Sequence, residues 1–186
     1  MQININDIKN GMTIVMDGNL YVIQEFQHVK PGKGPAFVRI KLKNLRTGST
    51  TEDTFNTNIK IQRAHIDKVN VQFLYSAGDS YTFMNNETYE QFEVDTKTLG
   101  ENVNFIKEGL DITIDFYEGE IIGITLPEKV EYEVIETEPA VKGNTTNNAN
   151  KDAKIETGYV VKVPLFITQG EKIIVSTSDG KYSSRA

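Results

Sequence analysis

Residues 20–45 read LYVIQEFQHVKPGKGPAFVRIKLKNL, two strand-like runs around a glycine- and proline-rich centre. LYVIQEFQHV (20–29) is rich in branched and aromatic residues, which suit a pleated, half-buried surface. AFVRIKLKNL (36–45) alternates: Phe37, Arg39, Lys41 and Lys43 fall on one face, and Val38, Ile40, Leu42 and Leu45 lie mainly on the other. A period of two marks a strand with one buried face. Two such runs flanking a Gly/Pro centre predict a β-hairpin with that loop at its tip. Within the loop Lys33 stands between Gly32 and Gly34, and Pro31 and Pro35 flank the glycines.

The same rhythm extends in both directions. The turn RTGST and the strand-like TTEDTFN and IKIQRAHI complete a small barrel-like unit over residues 1–64. A second unit, 65–127, opens with KVNVQFLYSAGDSYTFMN, whose Ala77-Gly78-Asp79 is a hairpin signal. Asp95 then precedes TKTLGENVNFIKEG, where Leu99, Val103 and Ile106 recur at helical spacing, so one short helix capped by Asp95 and ended by Gly109 is expected. LDITIDFYEGEIIGITLP returns to strands about a turn at 117–120. A third unit, 128–186, holds the strand KVEYEVIETEP, a polar Gly/Asn-rich loop at 143–150, and then ETGYVVKVPLFI, EKIIVSTSDG and KYSSRA. GYVVKVPLFITQGEKIIVSTSDG shares the rhythm of GLDITIDFYEGEIIGITLP, so the second and third units are expected to be of one type. The expected class is all-β, with Greek-key barrels of the oligonucleotide-binding (OB) type for those two units.

Composition narrows the function. Hydrophobic residues are 38% and charged residues 25%, as in a folded soluble protein rather than a disordered one. No run of apolar residues is long enough to span a membrane, and no secretory signal is visible. The absence of cysteine excludes disulfides and thiolate chemistry, and fits a cytoplasmic location. The net charge of -6 argues against nucleic acid, but its distribution does not. Residues 1–64 carry nine basic and five acidic side chains, which leaves eleven basic and twenty-one acidic for the rest. This is either a basic working surface on an acidic body or a chance split in a small protein.

Enzymatic constellations are missing. His28 and His65 are the only histidines and have no metal-ligand spacing, so no metal site is expected. His28 is either a pH-sensitive contact beside the basic loop or, more commonly for a lone histidine, a surface or structural group. Gly32-Lys33-Gly34 is not a phosphate-binding P-loop, because the preceding glycine and spacer are missing and Pro35 replaces the hydroxyl residue. The Glu52/Asp53 pair sits in polar sequence and reads as solvated charge.

The fenced lysine has two readings. One is a glycine-rich turn kept soluble by a cation. The other starts from access: glycines leave Lys33 without side-chain neighbours, and prolines reduce the entropy lost when the tip is inserted somewhere. A projecting cation on a stiff hairpin suits a narrow, phosphate-lined space or presentation to a modifying enzyme. Lys30, Arg39, Lys41 and Lys43 would then hold phosphates nearby, which positions a protein on RNA without reading sequence.

HVKPGKGPAFVRIKLKNLRTG resembles the signature hairpin of bacterial elongation factor P. The likeness runs the length of the chain: the start is similar to the family's N-terminal strands, ETEPAVKGNT to the lead into its third-domain loop, and ETGYVVKVPLFITQGEKIIVSTSDGKYSSRA to its C-terminal signature. The resemblance implies an N-terminal SH3-like (KOW-like) domain and two OB barrels in an L shape similar to tRNA. It implies a monomeric, non-enzymatic translation factor without a cofactor, with the 70S ribosome, its rRNA and peptidyl-tRNA as partners and no membrane association. Such a factor binds between the peptidyl and exit tRNA sites and stimulates peptide bond formation at consecutive prolines.

By that likeness Lys33 is the tip residue that reaches toward the CCA end, extended covalently by a lysine-modifying enzyme. The PGKGPAF context resembles lineages that add 5-aminopentanol, with β-lysine as the other option. His28, Lys30, Pro31, Gly32, Gly34, Pro35, Arg39, Lys41 and Lys43 become loop or RNA-contacting residues. Gly78 and Asp79 match a second-domain turn that faces the tRNA. Gly143, Asn144 and Thr145 match a third-domain loop near the exit-site codon, with Asn144 in place of the family's usual aspartate. Tyr182 and Arg185 match the C-terminal signature: Tyr182 is equally a core residue, and Arg185 is an RNA contact. Other readings are the elongation-factor-P-like paralogue and a general single-stranded RNA-binding OB protein, which would usually stack bases on exposed aromatics. An RNA-processing enzyme lacks its residues here.

Overall fold

The inward face of the strand at 37–44 organises the first sheet. In the computed structural model, which describes residues 1–139 and 149–186, Val38, Ile40 and Leu42 are buried, and Arg39, Lys41 and Lys43 are exposed. The fourth inward position belongs to Asn44 rather than Leu45. Its Oδ1 accepts from the backbone N–H groups of Arg46 and Thr47 at 2.9 and 3.1 Å, so the buried amide is satisfied and starts the turn.

That strand is β4 of a six-stranded antiparallel sheet. The elements are β1 (Gln2–Asn4), β2 (Thr13–Met16), β3 (Asn19–Val29), β4 (Phe37–Asn44), β5 (Thr50–Asn56) and β6 (Lys60–Arg63), ordered β1-β6-β2-β3-β4-β5. A single 3-10 turn, Ile5–Asp7, inserts Ile5 into the core with Ile8, Ile14, Ile23 and Ile61.

The second sheet holds β7 (Asp67–Ala77), β8 (Ser80–Asn85), β9 (Gln91–Asp95), β10 (Asp111–Tyr117) and β11 (Glu120–Thr125), ordered β11-β10-β7-β8-β9. Val71, Phe73, Phe83, Ile112 and Ile114 are buried, and Phe73 stacks on Tyr81 with ring centroids 5.0 Å apart. The helix is shorter than its spacing predicts. Asp95 caps it as expected, its Oδ1 accepting from Thr98 N at 2.8 Å. However, α1 covers only Thr96–Leu99, and Gly100, at φ 59, turns the chain into a 3-10 helix over Gly100–Asn104. Gly109 therefore closes a later turn (φ 80), not the helix.

The third sheet holds β12 (Lys129–Thr137), β13 (Asn150–Ile155), β14 (Val160–Pro164), β15 (Lys172–Ser176) and β16 (Lys181–Arg185), ordered β14-β13-β12-β15-β16. Its core includes Tyr132, Val134, Ile155, Val163, Ile167 and Ile173. Both five-stranded sheets place their first strand in the centre, the next two on one side and the last two on the other. The expected repeat is real, but it is offset. The counterpart of β10–β11 is β15–β16, whereas the rhythm of the sequence matched it to β14–β15. Asn150 opens β13 rather than closing a loop.

Packing groups the chain into two compact units: residues 1–68 with 115–123, and residues 69–114 with 124–186. In the second unit the Tyr132 hydroxyl donates to Phe105 O, Thr157 Oγ1 donates to Asn104 O at 2.6 Å, and Phe105 meets Tyr159 edge-on at 5.1 Å. Gly180 leaves the room this needs, since a Cβ there would stand 2.6 Å from the Tyr159 hydroxyl. Among the described residues no helix is long and apolar enough to cross a membrane.

Candidate RNA-facing hairpin

β3 and β4 form the predicted hairpin. Val29 pairs with Phe37, His28 with Val38, Gln27 with Arg39, Phe26 with Ile40 and Glu25 with Lys41. Ile23 then pairs with Leu42, so Gln24 is an extra residue on β3. Such a bulge increases the local twist of a ribbon. It also lets an 11-residue strand change which side faces the core.

The ladder ends at Val29–Phe37, and residues 30–36 form the loop. Lys30, Pro31, Gly32, Lys33, Gly34 and Pro35 are all exposed. The two glycines are not equivalent. Gly34 has φ 100, a conformation that side chains disfavour, whereas Gly32 has no positive φ. A Cβ on either would meet nothing within 4 Å. Lys33 is therefore unobstructed on both sides, and one glycine is required by the backbone. Neither Lys30 nor Lys33 forms an ion pair among the described residues. His28 is exposed and meets Phe26 edge-on at 5.7 Å.

The remaining basic residues of the hairpin have company. Arg39 Nε lies 3.3 Å from Glu52 Oε1, and its guanidinium sits 5.9 Å from the centre of the Phe37 ring. Lys41 is paired across the sheet with Glu25 on β3 and Glu52 on β5. Lys43 lies between Val22 and Thr50. Glu25 was not singled out from the sequence and Glu52 was read there only as solvated charge, because only the strand register puts the two beside Lys41.

Gly78 and Asp79 form the two-residue turn between β7 and β8, with Ala77 paired to Ser80. Gly78 takes φ 60, and the exposed Asp79 uses its carbonyl to accept from Thr96 N at 2.9 Å. Tyr182 is half-buried opposite Val175. Arg185 is held within its own sheet: it pairs with Glu171 and lies over the Phe166 ring, 4.5 Å from its centre. The Thr168 backbone N–H and then Arg185 hold the Glu171 carboxyl below its ordinary range. Phe166 and Glu171 were also missed: both lie in the segment between β14 and β15, and only the folded chain brings them to Arg185. Gly143, Asn144 and Thr145 lie outside the described residues. Among those described, no group of three His, Asp or Glu side chains is placed to hold a metal ion.

Three family models cover nearly the whole chain. Residues 4–61 match the elongation factor P KOW-like domain, 66–124 its OB domain, and 130–185 its C-terminal domain. Among solved structures, one described as eukaryotic translation initiation factor 5A from Methanococcus jannaschii is 26% identical, with a TM-score of 0.56 over 68% of this chain and 94% of that one. A translation initiation factor eif-5a family protein from Naegleria fowleri, at 19% identity and the same TM-score, covers 68% of this chain and 98% of its own and shows the shared fold. With all three of its domains matched in order, the chain belongs to the elongation factor P family, which is a family of translation factors and not of enzymes.

Proposed function

We propose that the protein binds the 70S ribosome between the peptidyl and exit tRNA sites, positions peptidyl-tRNA, and stimulates peptide bond formation at consecutive prolines. The observation that carries this reading is the hairpin tip: an exposed loop with Lys33 flanked by open space and two cations, Lys30 and Lys33, that no carboxylate neutralises among the described residues. A cation of that kind, extended covalently, reaches tRNA backbone near the CCA end and restrains it. Proline reacts poorly as an acceptor, and holding the reacting ends in geometry lowers the barrier entropically while the ribosome performs the reaction. Lys33 is a positioning group here, neither acid nor base.

On this reading Lys33 carries a modification, 5-aminopentanol before β-lysine, made by a separate enzyme. The factor acts as a cytoplasmic monomer with domains at 1–64, 65–127 and 128–186. His28, Lys30 and Lys43 support the tip on rRNA or tRNA phosphates, and Asp79, the loop at 143–145, Tyr182 and Arg185 are further contacts. The test is synthesis of a Pro-Pro-Pro peptide in a reconstituted translation system, against a proline-free template, using protein purified from its native host. Selective acceleration of the proline template is expected. No acceleration by folded protein, with the mass at Lys33 checked, overturns the reading.

A further inference from the structure

Away from the tip, the part of the outward face of β3, β4 and β5 around Arg39 and Lys41 carries a charge pattern unsuited to RNA. The register sets three rows across it: Gln27–Arg39–Thr54, Glu25–Lys41–Glu52 and Val22–Lys43–Thr50. Directly opposed residues share a face of the sheet, about 5 Å apart. Lys41 therefore has a carboxylate on each side, and Arg39 already reaches Glu52 at 3.3 Å. Proteins gain RNA affinity by neutralising phosphates. A phosphate brought to Lys41 would meet Glu25 and Glu52 as well, and like charges at such distances repel.

The same residues line a shallow recess of about 420 Å³, in which Phe26 and Gln27 accompany Glu25, Arg39, Lys41 and Glu52. Alternating charges of this kind fit a protein surface with the opposite alternation, because such complementarity selects one partner and rejects others. The Arg39 row lies two residues, about 7 Å, from the end of the ladder. A specific protein interface covers roughly 800 Å² per partner, more than the short exposed loop supplies. A protein that takes Lys33 into its active site must therefore also cover the strands beside it.

We propose that this face, centred on Glu25, Lys41 and Glu52, docks the enzyme that modifies Lys33. The inference rests on the reading of Lys33 as a modified residue. It separates two surfaces on one hairpin: the uncompensated cations of the loop face RNA, and the compensated charges of the strands face a protein.

The experiment expresses the parent, Glu25→Lys/Glu52→Lys and Glu25→Gln/Glu52→Gln in the native host and weighs the Lys33 peptide of each. Both substituted side chains are exposed, and a thermal melt checks that each variant is folded. The parent should carry an added mass. The charge-reversed variant should be modified roughly tenfold less or worse, and the neutral variant should fall between. A folded reversed variant modified as fully as the parent overturns the proposal. If that variant is also altered in proline rescue, the face belongs to RNA instead. A parent without added mass at Lys33 overturns the modification itself, and the docking proposal with it. Proline rescue by that unmodified parent would still leave the ribosomal reading standing.

Discussion

The Arg46 guanidinium grips the Glu120 carboxylate as a fork, with Nε and Nη2 at 3.1 and 3.0 Å from its two oxygens. Nη1 also donates to Gly18 O at 2.9 Å. One side chain thus ties the β4–β5 turn, the β2–β3 turn and the β10–β11 turn within a single compact unit. A two-point contact of this geometry is stronger and more directional than a lysine contact.

The hydrogen bond from Arg46 holds the Glu120 carboxyl below its ordinary range. The folded state therefore binds a proton here less readily than the unfolded chain. The contribution is complete above the ordinary carboxylate range and fades as the pH falls through the lowered value. Both side chains are solvent-accessible, so the effect should be local. Hydrogen exchange over residues 115–123 should quicken several-fold in Glu120→Gln at neutral pH, with little change in the global melt. The gap between variant and parent should close as the pH falls below the ordinary carboxylate range. An identical exchange pattern in the two proteins at neutral pH would show that the fork does no work.

Lys33→Ala should fold like the parent, since the side chain touches no core residue, yet lose most of the acceleration on a Pro-Pro-Pro template. Peptide yield against time, beside the proline-free control, decides it. Full rescue by Lys33→Ala removes Lys33 from the mechanism.

The two loop glycines should part company. Alanine at Gly34 must adopt φ near 100 or move the loop, a strain of about 1–2 kcal/mol. Alanine at Gly32 meets neither a positive φ nor a neighbouring atom. Gly34→Ala should therefore impair proline rescue several-fold more than Gly32→Ala, and lower the melting temperature by no more than a few degrees. Equal impairment would mean that access to Lys33, not the path of the backbone, is what the glycines protect.

Burial pushes the Tyr132 phenol well above its ordinary value, and nearby Glu156 adds to the shift. Its stabilising effect is complete below pH 10 and is lost as the pH climbs, because the unfolded chain ionises before the folded one. Tyr132→Phe should cost about 1 kcal/mol at neutral pH through the lost bond to Phe105 O. It should also flatten the alkaline fall in stability. Denaturant melts at pH 8 and pH 10.5 test both halves, and an unchanged alkaline slope would exclude Tyr132 as its source.

What could be read in advance follows from which interactions are local. β3, β4 and the Lys33 loop were legible because alternation, glycine and proline act within a few residues. β13 was not, because its inward positions are Lys151, Ala153 and Ile155, and only the last announces a core strand. β9 is five residues long and was likewise passed over. The helix was overextended because Leu99, Val103 and Ile106 do recur at the right spacing; Gly100, with its positive φ, breaks the hydrogen-bond run between them. The carboxylates beside Lys41 depend on a register with β5, which no local pattern encodes.

The central place of the first strand in both five-stranded sheets has a consequence for how the chain is made. β12 emerges from the ribosome early, but Val130 must wait for Val175 before that flank is paired. β7 likewise waits for β10. Each sheet therefore passes through a stage in which its central strand has an open edge, and closure depends on the last hairpin to be synthesised. Such non-local pairing folds slowly and exposes strand edges that other chains can join. The last two sheets of this chain cannot close until their own final hairpins have left the tunnel.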